Sequence, residues 1–270
     1  MNTVLITGSN GFLGSHLCQK YSADGWTVIG VDRPASNNLF RNQENHEFVP
    51  MDLPDPSFLN VLEFWQPDLL IHAAGLASVP FSVANPLGDF IGSVQVYYFV
   101  LDAIRRSCPG CKVIFLSSAA VYGDPVTLPI DEKYVTKPVS PYGFHKLLCE
   151  KINEEFYSLH GLHVNSARIF SAYGQGLRKQ IFWDLCNKAN SDPFVELAGD
   201  GTESRDFIQV EDIVNAISII GNIGSFASET YNVASGMETS IRDVALLTLH
   251  SFGVHKDLIF TGTQRLGDPQ

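Results

Sequence analysis

A tyrosine and a lysine four positions apart carry the clearest chemical signal in the sequence. Tyr142 and Lys146 lie in the segment SPYGFHK. Four positions make about one helical turn, so on a helix the two side chains share a face. An ammonium beside a phenol favours the phenolate, which can then accept a proton from a substrate hydroxyl. By itself the spacing also fits an ordinary exposed helix pair, but the upstream segment SSAAVYG follows a predicted strand and offers Ser118 to orient the substrate oxygen.

A glycine-rich turn near the N-terminus predicts a phosphate site. The segment GSNGFLG places Gly8, Gly11 and Gly14 directly after the apolar run Val4–Ile6 and before a helical stretch. Glycines let the backbone turn tightly and approach a pyrophosphate at the N-terminus of a helix. The spacing is GxxGxxG rather than GxGxxG, and a plain glycine turn is the alternative. Asp32, which ends the next predicted strand, supports a dinucleotide.

The residues around Asp32 bear on which dinucleotide is bound. A carboxylate there can accept hydrogen bonds from the adenosine ribose and repels a 2′-phosphate, which favours NAD. The adjacent Arg33 could receive that phosphate, so NADP stays open. Asp52 and Leu53 follow the third apolar run, where they could bind the adenine amino group and pack against the ring. A solvated loop aspartate is the alternative for Asp52.

The segment HAAG ends the following predicted strand. Ala73, Ala74 and Gly75 are small, and small residues at a strand end allow a cofactor to approach the backbone closely. His72 in the same segment is expected to be structural rather than catalytic.

Elements that could position these residues alternate along the first two thirds of the chain. Short runs of nearly continuous apolar residues are separated by helical stretches, which indicates a parallel sheet covered on both faces, a doubly wound Rossmann-type α/β fold. We predict a dinucleotide-binding portion over residues 1–170, to which 205–235 returns, and a small substrate-binding portion over 171–204 and 236–270. The predicted strands are Val4–Ile6, Thr27–Val31, Glu47–Met51, Leu69–His72, Lys112–Ser117 and Val164–Phe170. The predicted helices are Gly11–Asp24, Ser57–Trp65, Asp89–Ser107 and Tyr142–His160.

Composition narrows the class of protein. The 270 residues carry a formal net charge of −11, which argues against nucleic-acid or anionic-membrane partners. No signal peptide is expected, and no stretch approaches the ~20 apolar residues of a membrane span. Five cysteines form no disulfide framework or metal site, so reduced thiols in a cytoplasmic protein are expected. The pair Cys108 and Cys111 has the CxxC form without a second pair.

These motifs occur together and in one order: GSNGFLG, Asp32, Asp52-Leu53, HAAG, SSAAVYG, SPYGFHK, ARIFSAYG and GTESRDFIQVEDI. In this combination the chain resembles the extended short-chain dehydrogenase/reductase superfamily, specifically the NAD-dependent nucleotide-sugar epimerase/dehydratase family, over essentially its whole length. The resemblance implies an enzyme with NAD as cofactor and a nucleotide-sugar as substrate. It also implies that Ser118, Tyr142 and Lys146 form the catalytic triad.

The resemblance assigns further contacts. Phe12 and Leu13 would flank the pyrophosphate, and Phe170 would lie near the nicotinamide. Arg205 would grip the diphosphate of the nucleotide-sugar, and Arg265, in RLGD, would lie near its nucleoside. Guanidinium groups suit such contacts because their forked donors match phosphate oxygens.

Several positions depart from the family pattern. Ser93 and Ser171 stand where asparagine is common, and Ser171 occupies a sugar-contact position, so the sugar and the base of the substrate stay open. Members usually continue for several tens of residues past RLGD, so we expect a C-terminal helical cap to be missing. Relatives commonly pair through two helices from each subunit, which implies a homodimer through Asp89–Ser107 and Tyr142–His160.

The residues after Ser118 favour one reaction. Dehydratases of the family have an Asp-Glu pair there, whereas this chain has Ala119 and Ala120. We therefore predict an epimerase that oxidises C4, lets the 4-keto sugar rotate and reduces it again. The alternative is an NAD(P)H-dependent reductase of a nucleotide-linked 4-keto-6-deoxyhexose, with a 4,6-dehydratase or a non-catalytic NAD(P)-binding protein less favoured. The intact Ser118, Tyr142 and Lys146 argue against the non-catalytic alternative.

Overall fold

Seven parallel strands form the main sheet in the computed structural model, which describes residues 2–34, 45–191, 193–263 and 267. The described residues form twelve strands in all, including those of two smaller sheets. In chain order they are β1 (Thr3–Thr7), β2 (Thr27–Asp32), β3 (His46–Pro50), β4 (Leu69–His72), β5 (Lys112–Ser118), β6 (Val164–Ile169), β7 (Ser171–Tyr173), β8 (Val195–Leu197), β9 (Ser204–Gln209), β10 (Ala227–Val233), β11 (Glu238–Ser240) and β12 (Leu258–Phe260). The helices are α1 (Phe12–Ala23), α2 (Phe58–Trp65), α3 (Val79–Ala84), α4 (Pro86–Phe90), α5 (Val96–Ser107), α6 (Pro141–His160), α7 (Gln180–Ser191), α8 (Val210–Ile223) and α9 (Ile241–Ser251).

The order of the main sheet is β10-β6-β5-β4-β1-β2-β3. Every pairing in it is parallel, with Val4 opposite Val28 on one side and opposite Leu69 on the other. From β1 the chain adds β2 and β3 on one side of the sheet and then β4, β5, β6 and β10 on the other. The strand order therefore switches between β1 and β4, and this is the point where ligands bind in doubly wound folds. The predicted Rossmann-type α/β class is confirmed. The carboxyl ends of β1, β4 and β5 form what we call the carboxyl edge.

Two apolar layers cover the faces of the sheet. On one face Leu17 and Tyr21 of α1 pack with Ile213 and Ile217 of α8. On the other, side chains of α2, α5 and α6 form the second layer, including the fully buried Tyr97. Burial on both faces explains why the strands contain nearly continuous apolar residues instead of an alternating pattern.

The helical run Pro86–Ser107 differs from the single helix predicted from Asp89. It contains α4, a π-helical turn over Ile91–Gln95, and α5. Its length and apolar composition would allow a membrane span, contrary to the expectation that no stretch is long enough. Half of the run is buried in the protein, where apolar side chains of α5 pack against the sheet, whereas Leu87, Phe90 and Ile91 near its start are exposed.

The C-terminal part adds two small sheets, β11-β9-β7 and β12-β8. A third apolar cluster lies here, formed by buried residues of α7, α9 and β8 such as Leu185, Val195 and Leu249. By contrast, α8 packs against the main sheet and β10 extends it beyond β6. The division into dinucleotide-binding and substrate-binding portions stays a prediction.

Candidate active site

Helix α6 begins at the catalytic candidates. Ser140 caps it by accepting a hydrogen bond from the backbone N–H of Gly143 at 3.2 Å, and Pro141 occupies the first helical position. The backbone N–H of Tyr142 donates to Ser82 Oγ of α3 at 3.1 Å. A Cβ at Gly143 would lie 2.5 Å from the carbonyl oxygen of Ala120. Glycine therefore lets the first turn of α6 approach the segment that follows Ser118.

Lys146 is held between α6 and β5. Its Nζ donates to the carbonyl oxygen of Leu116 at 2.8 Å and lies 4.8 Å from the centre of the Phe115 ring. The same ammonium is 5.8 Å from the centre of the Tyr142 ring, as the four-residue spacing predicts. Among the described residues no carboxylate forms an ion pair with Lys146. Its charge is therefore available to a phenolate or a ligand.

Ser118 ends β5 at the carboxyl edge. Its Oγ accepts a hydrogen bond from the backbone N–H of Ala120 at 3.2 Å, which leaves the hydroxyl proton for another acceptor. Ser118, Tyr142 and Lys146 are thus gathered around the end of one strand. Their catalytic roles stay predictions.

A buried ion pair behind these residues escaped the sequence analysis. Arg168 of β6 donates from Nε and Nη2 to the two carboxylate oxygens of Glu150, at 3.0 and 2.7 Å. Glu150 also accepts from Ser117 Oγ at 2.6 Å, and Arg168 Nη1 donates to the Tyr122 hydroxyl at 2.8 Å. Burial opposes the charge on Arg168, but the hydrogen bonds and attraction from Glu150 outweigh burial and raise the pKa of the guanidinium. The pair fixes α6 to the end of β5, because Glu150 lies one turn after Lys146 and Ser117 precedes Ser118.

The glycine turn is built for close contact. Gly8 has a φ of +71°, and a Cβ there would lie 2.6 Å from the backbone nitrogen of Ala74. A Cβ at Gly14 would lie 2.0 Å from the carbonyl oxygen of Gly8. Any larger residue would displace the turn, so the tight approach of β1, the turn and α1 depends on these two glycines.

Unsatisfied polar atoms in the same turn fit a bound dinucleotide. Ser9 Oγ and both side-chain polar atoms of Asn10 are buried without a hydrogen-bond partner among the described residues. Buried polar atoms of this kind are costly unless a ligand or water satisfies them. Phe12 and Leu13, both half-buried, open α1 next to them, and Gly11 is exposed. These orphaned polar atoms and the exposed Gly11 fit a ligand bound at this turn.

The predicted adenosine contacts lie together at one edge. Asp32 Oδ2 accepts from the backbone N–H of Asn10 at 2.8 Å, and Oδ1 accepts from that of Arg33 at 2.7 Å. Asp32 pairs with Pro50, so the exposed Asp52 follows at the same edge. Leu53 is half-buried against the core, and Arg33 is exposed. The structure thus brings Asp32, Asp52 and Leu53 together.

The remaining assignments are spread over the loops. Ala73 and Ala74 are half-buried and Gly75 is exposed after β4. Phe170 is half-buried between β6 and β7, and Ser171, also half-buried, begins β7. The cofactor and sugar contacts predicted for these residues remain predictions.

Of the two arginines predicted to bind the substrate, the structure describes Arg205 but not Arg265. Arg205 lies half-buried on β9, where Nη1 donates to the carbonyl oxygen of Ser204 at 2.6 Å. Arg265 lies outside the described residues. No group of three or more metal-binding side chains occurs in the described part of the chain.

Known proteins match this chain along most of its length. A model of the NAD-dependent epimerase/dehydratase family matches residues 4–234. The chain belongs to this family. A UDP-glucose 4-epimerase of Mycolicibacterium smegmatis is 29% identical over 98% of this chain and 87% of its own length. A UDP-N-acetylglucosamine 4-epimerase of Methanobrevibacter ruminantium, solved with UDP-N-acetylmuramic acid, has a TM-score of 0.89 at 28% identity, covering 99% of this chain and 87% of the other. MoeE5, solved with UDP-glucuronic acid and NAD, has a TM-score of 0.89 at 27% identity, covering 99% and 88%.

These matches confirm that the chain is an NAD-dependent epimerase/dehydratase-family enzyme, and they bear out the prediction of a nucleotide-sugar epimerase. For this family member the substitution at Ser93 has a visible consequence. Ser93 Oγ accepts from the backbone N–H of Leu76 at 3.3 Å and is buried in the π-helical turn. The hydroxyl supports the loop after HAAG and is too short to reach as far as an asparagine amide.

Proposed function

We propose that this enzyme interconverts the C4 epimers of a UDP-linked hexose with NAD as a resident cofactor. The observation that supports this proposal most directly is the position of Lys146. Its Nζ lies 5.8 Å from the centre of the Tyr142 ring, on a helix that contacts the segment after Ser118. Bound NAD supplies the acceptor and donor of hydride. UDP is proposed because UDP-sugars are named for the enzymes and complexes compared above.

Each member of the triad has one task in this proposal. Tyr142 takes the proton of the C4 hydroxyl as the C4 hydrogen leaves as hydride, and returns a proton when the 4-keto group is reduced. Lys146 stabilises the phenolate through its positive charge and can hold the ribose hydroxyls of the cofactor. Ser118 donates a hydrogen bond to the reacting oxygen.

The alanines after Ser118 favour epimerisation over dehydration. Removal of water across two carbons needs an acid and a base beside the sugar. Ala119 and Ala120, both half-buried, provide neither. They also leave room for the 4-keto sugar to turn about its diphosphate linkage.

Proton NMR of purified protein mixed with UDP-glucose and with UDP-N-acetylglucosamine tests the proposal. We expect a second C4 epimer to accumulate with no added NAD and no net change in cofactor absorbance. A reductase would instead consume added NADPH only when a 4-keto sugar is supplied. Consumption of NADPH without epimerisation would replace the proposal by that alternative.

Arg205 is proposed to hold the substrate diphosphate, with Ser171 contacting the sugar and Arg265 near the nucleoside. Changing Arg205 to alanine should raise KM for the nucleotide-sugar far more than it changes NAD affinity. Equal effects on both ligands would remove this role. The substrate portion over 171–204 and 236–270 is part of the same proposal.

A cytoplasmic homodimer is the proposed form. Exposed apolar side chains lie on α4 and α6, among them Leu87, Phe90, Phe144 and Leu148. Light scattering should show a dimer that Leu148→Glu weakens, while Leu247→Glu, at an exposed position on α9 outside both interface helices, leaves it intact. A wild-type monomer at micromolar concentration would contradict the proposal.

A further inference from the structure

The segment between β7 and α7 is basic in an acidic chain. Residues 174–179, GQGLRK, carry two positive and no negative charges, against a formal net charge of −11 for the whole chain. Gly174 begins it with a φ of +149°, and a Cβ there would lie 2.5 Å from Val210 Cγ1. The segment is therefore turned tightly as it leaves β7.

Two hydrogen bonds hold this segment across the carboxyl edge. His16 Nε2 of α1 lies 2.9 Å from the carbonyl oxygen of Gln175. Because a carbonyl can only accept, Nε2 carries the proton in this contact. At the other end Lys179 Nζ donates to the carbonyl oxygen of Ala77 at 2.8 Å. The segment thus connects the helix of the glycine turn to the loop that follows Gly75.

The Ala77 loop leads directly to the catalytic tyrosine. Ser78 follows Ala77 and caps α3 by accepting from the backbone N–H of Phe81 at 3.3 Å. Ser82, in the same helix, accepts from the backbone N–H of Tyr142 at 3.1 Å. One short helix therefore separates the contact made by Lys179 from the start of α6.

Lys179 and Lys146 are cations close enough to act on each other. Surrounding protein atoms and the charge of Lys146 both lower the pKa of Lys179, although its side chain as a whole is exposed. Neither lysine forms an ion pair with a carboxylate in the described ranges. Two such cations repel each other, and a bound anion would relieve that repulsion. Lys179 has three N–H donors and uses one on Ala77, so two remain for a ligand.

We propose that Lys179 is a substrate-binding residue that holds an anionic oxygen of the nucleotide-sugar. The inference rests on the proposed function for the identity of the substrate. The anionic oxygen can come from a carboxylate on the hexose or from the diphosphate. A hexuronate is the substrate class that would gain most from a cation on this side of the carboxyl edge.

The test compares Lys179→Met, Lys179→Arg and Lys151→Met in protein carrying its cofactor. Lys151→Met is the matched control, because Lys151 is an exposed cation on α6 that pairs with Glu154. Calorimetry measures the affinity of each protein for UDP-glucuronic acid, UDP-glucose and UDP. Loss of one charged hydrogen bond should weaken binding by about tenfold to 100-fold. Lys179→Arg and Lys151→Met should stay near wild type.

The pattern among the three ligands identifies the source of the anion. Loss for UDP-glucuronic acid alone supports the hexose carboxylate, and equal loss for all three supports the diphosphate. Unchanged affinities for all three in Lys179→Met, or failure of the wild type to bind any of them, would overturn the inference. Binding that depends on Lys179 without epimerisation would refute the proposed function alone, whereas epimerisation with unchanged binding would refute only the role of Lys179.

Discussion

Replacing Arg168 by methionine removes the cation from a buried ion pair and leaves its carboxylate in place. The side chains of Arg168 and Glu150 are 7% and 5% exposed, so water cannot replace the lost partner. Glu150 would keep only the hydrogen bond from Ser117, and the Tyr122 hydroxyl would lose its donor. Removing one partner of a buried pair costs about 3–5 kcal/mol. For a chain of this size the melting temperature should fall by roughly 10 °C.

Urea unfolding measures this cost, with three comparison proteins: Arg105→Met, Glu150→Leu and the double variant Glu150→Leu/Arg168→Met. Arg105→Met removes the cation of a pair with Asp102 whose side chains are 40% and 37% exposed, so it should cost at most about 1 kcal/mol. The double variant Glu150→Leu/Arg168→Met should be more stable than Arg168→Met, because an apolar pair leaves no buried charge. A loss below about 1 kcal/mol for Arg168→Met, or a double variant that loses the sum of both single changes, would refute the reasoning.

Three further predictions concern the cofactor turn, the catalytic tyrosine and a buried histidine. Gly14→Ala should weaken NAD binding by about tenfold or more, a change of ~1.4 kcal/mol, because its methyl group would lie 2.0 Å from the Gly8 carbonyl oxygen; unchanged fluorescence titration would contradict this. Tyr142→Phe should lower kcat by about 100-fold or more while leaving NAD affinity near normal, and retained turnover would show that another group moves the proton. Burial and the charge of Lys146 lower the pKa of His72 to about 3. Below about pH 6.5 the imidazole of His72 is therefore protonated in the unfolded chain but neutral in the folded protein. The free energy of unfolding consequently falls as pH falls, by about 1.4 kcal/mol per pH unit between pH 6 and 4. His72→Leu should lose that part of the slope in urea unfolding at several pH values, and an identical slope would contradict the assignment.

Six of the seven strands of the main sheet could be predicted because their signal is local, whereas β10 and the strand order were not predicted. The strand predicted at Leu69–His72 has those bounds in the structure, and the strand predicted at Val164–Phe170 ends one residue earlier. Apolar runs buried on both faces carry this information in their own composition. The π-helical turn Ile91–Gln95 was missed because the apolar face continues on both sides of it. Helix α3 has six residues, too few to show a helical period.

The candidate site could be predicted as a set of motifs but not as a network. Gly8, Gly14 and Tyr142 stand in motifs whose spacing limits their geometry. Glu150 and Arg168 are charged types that are expected at the surface, and only the fold brings them together. Lys179 was missed for the same reason, since its partner is a backbone carbonyl 102 positions away in the chain.

Epimerisation of UDP-glucose in D₂O, followed by proton NMR and mass spectrometry, tests the central claim most directly. Hydride taken from C4 and returned to the opposite face never exchanges with solvent. We therefore expect a C4 epimer without deuterium at C4. Deuterium at C4 would show that the C4 hydrogen leaves as a proton and would contradict the hydride mechanism in which Tyr142 and Lys146 take part.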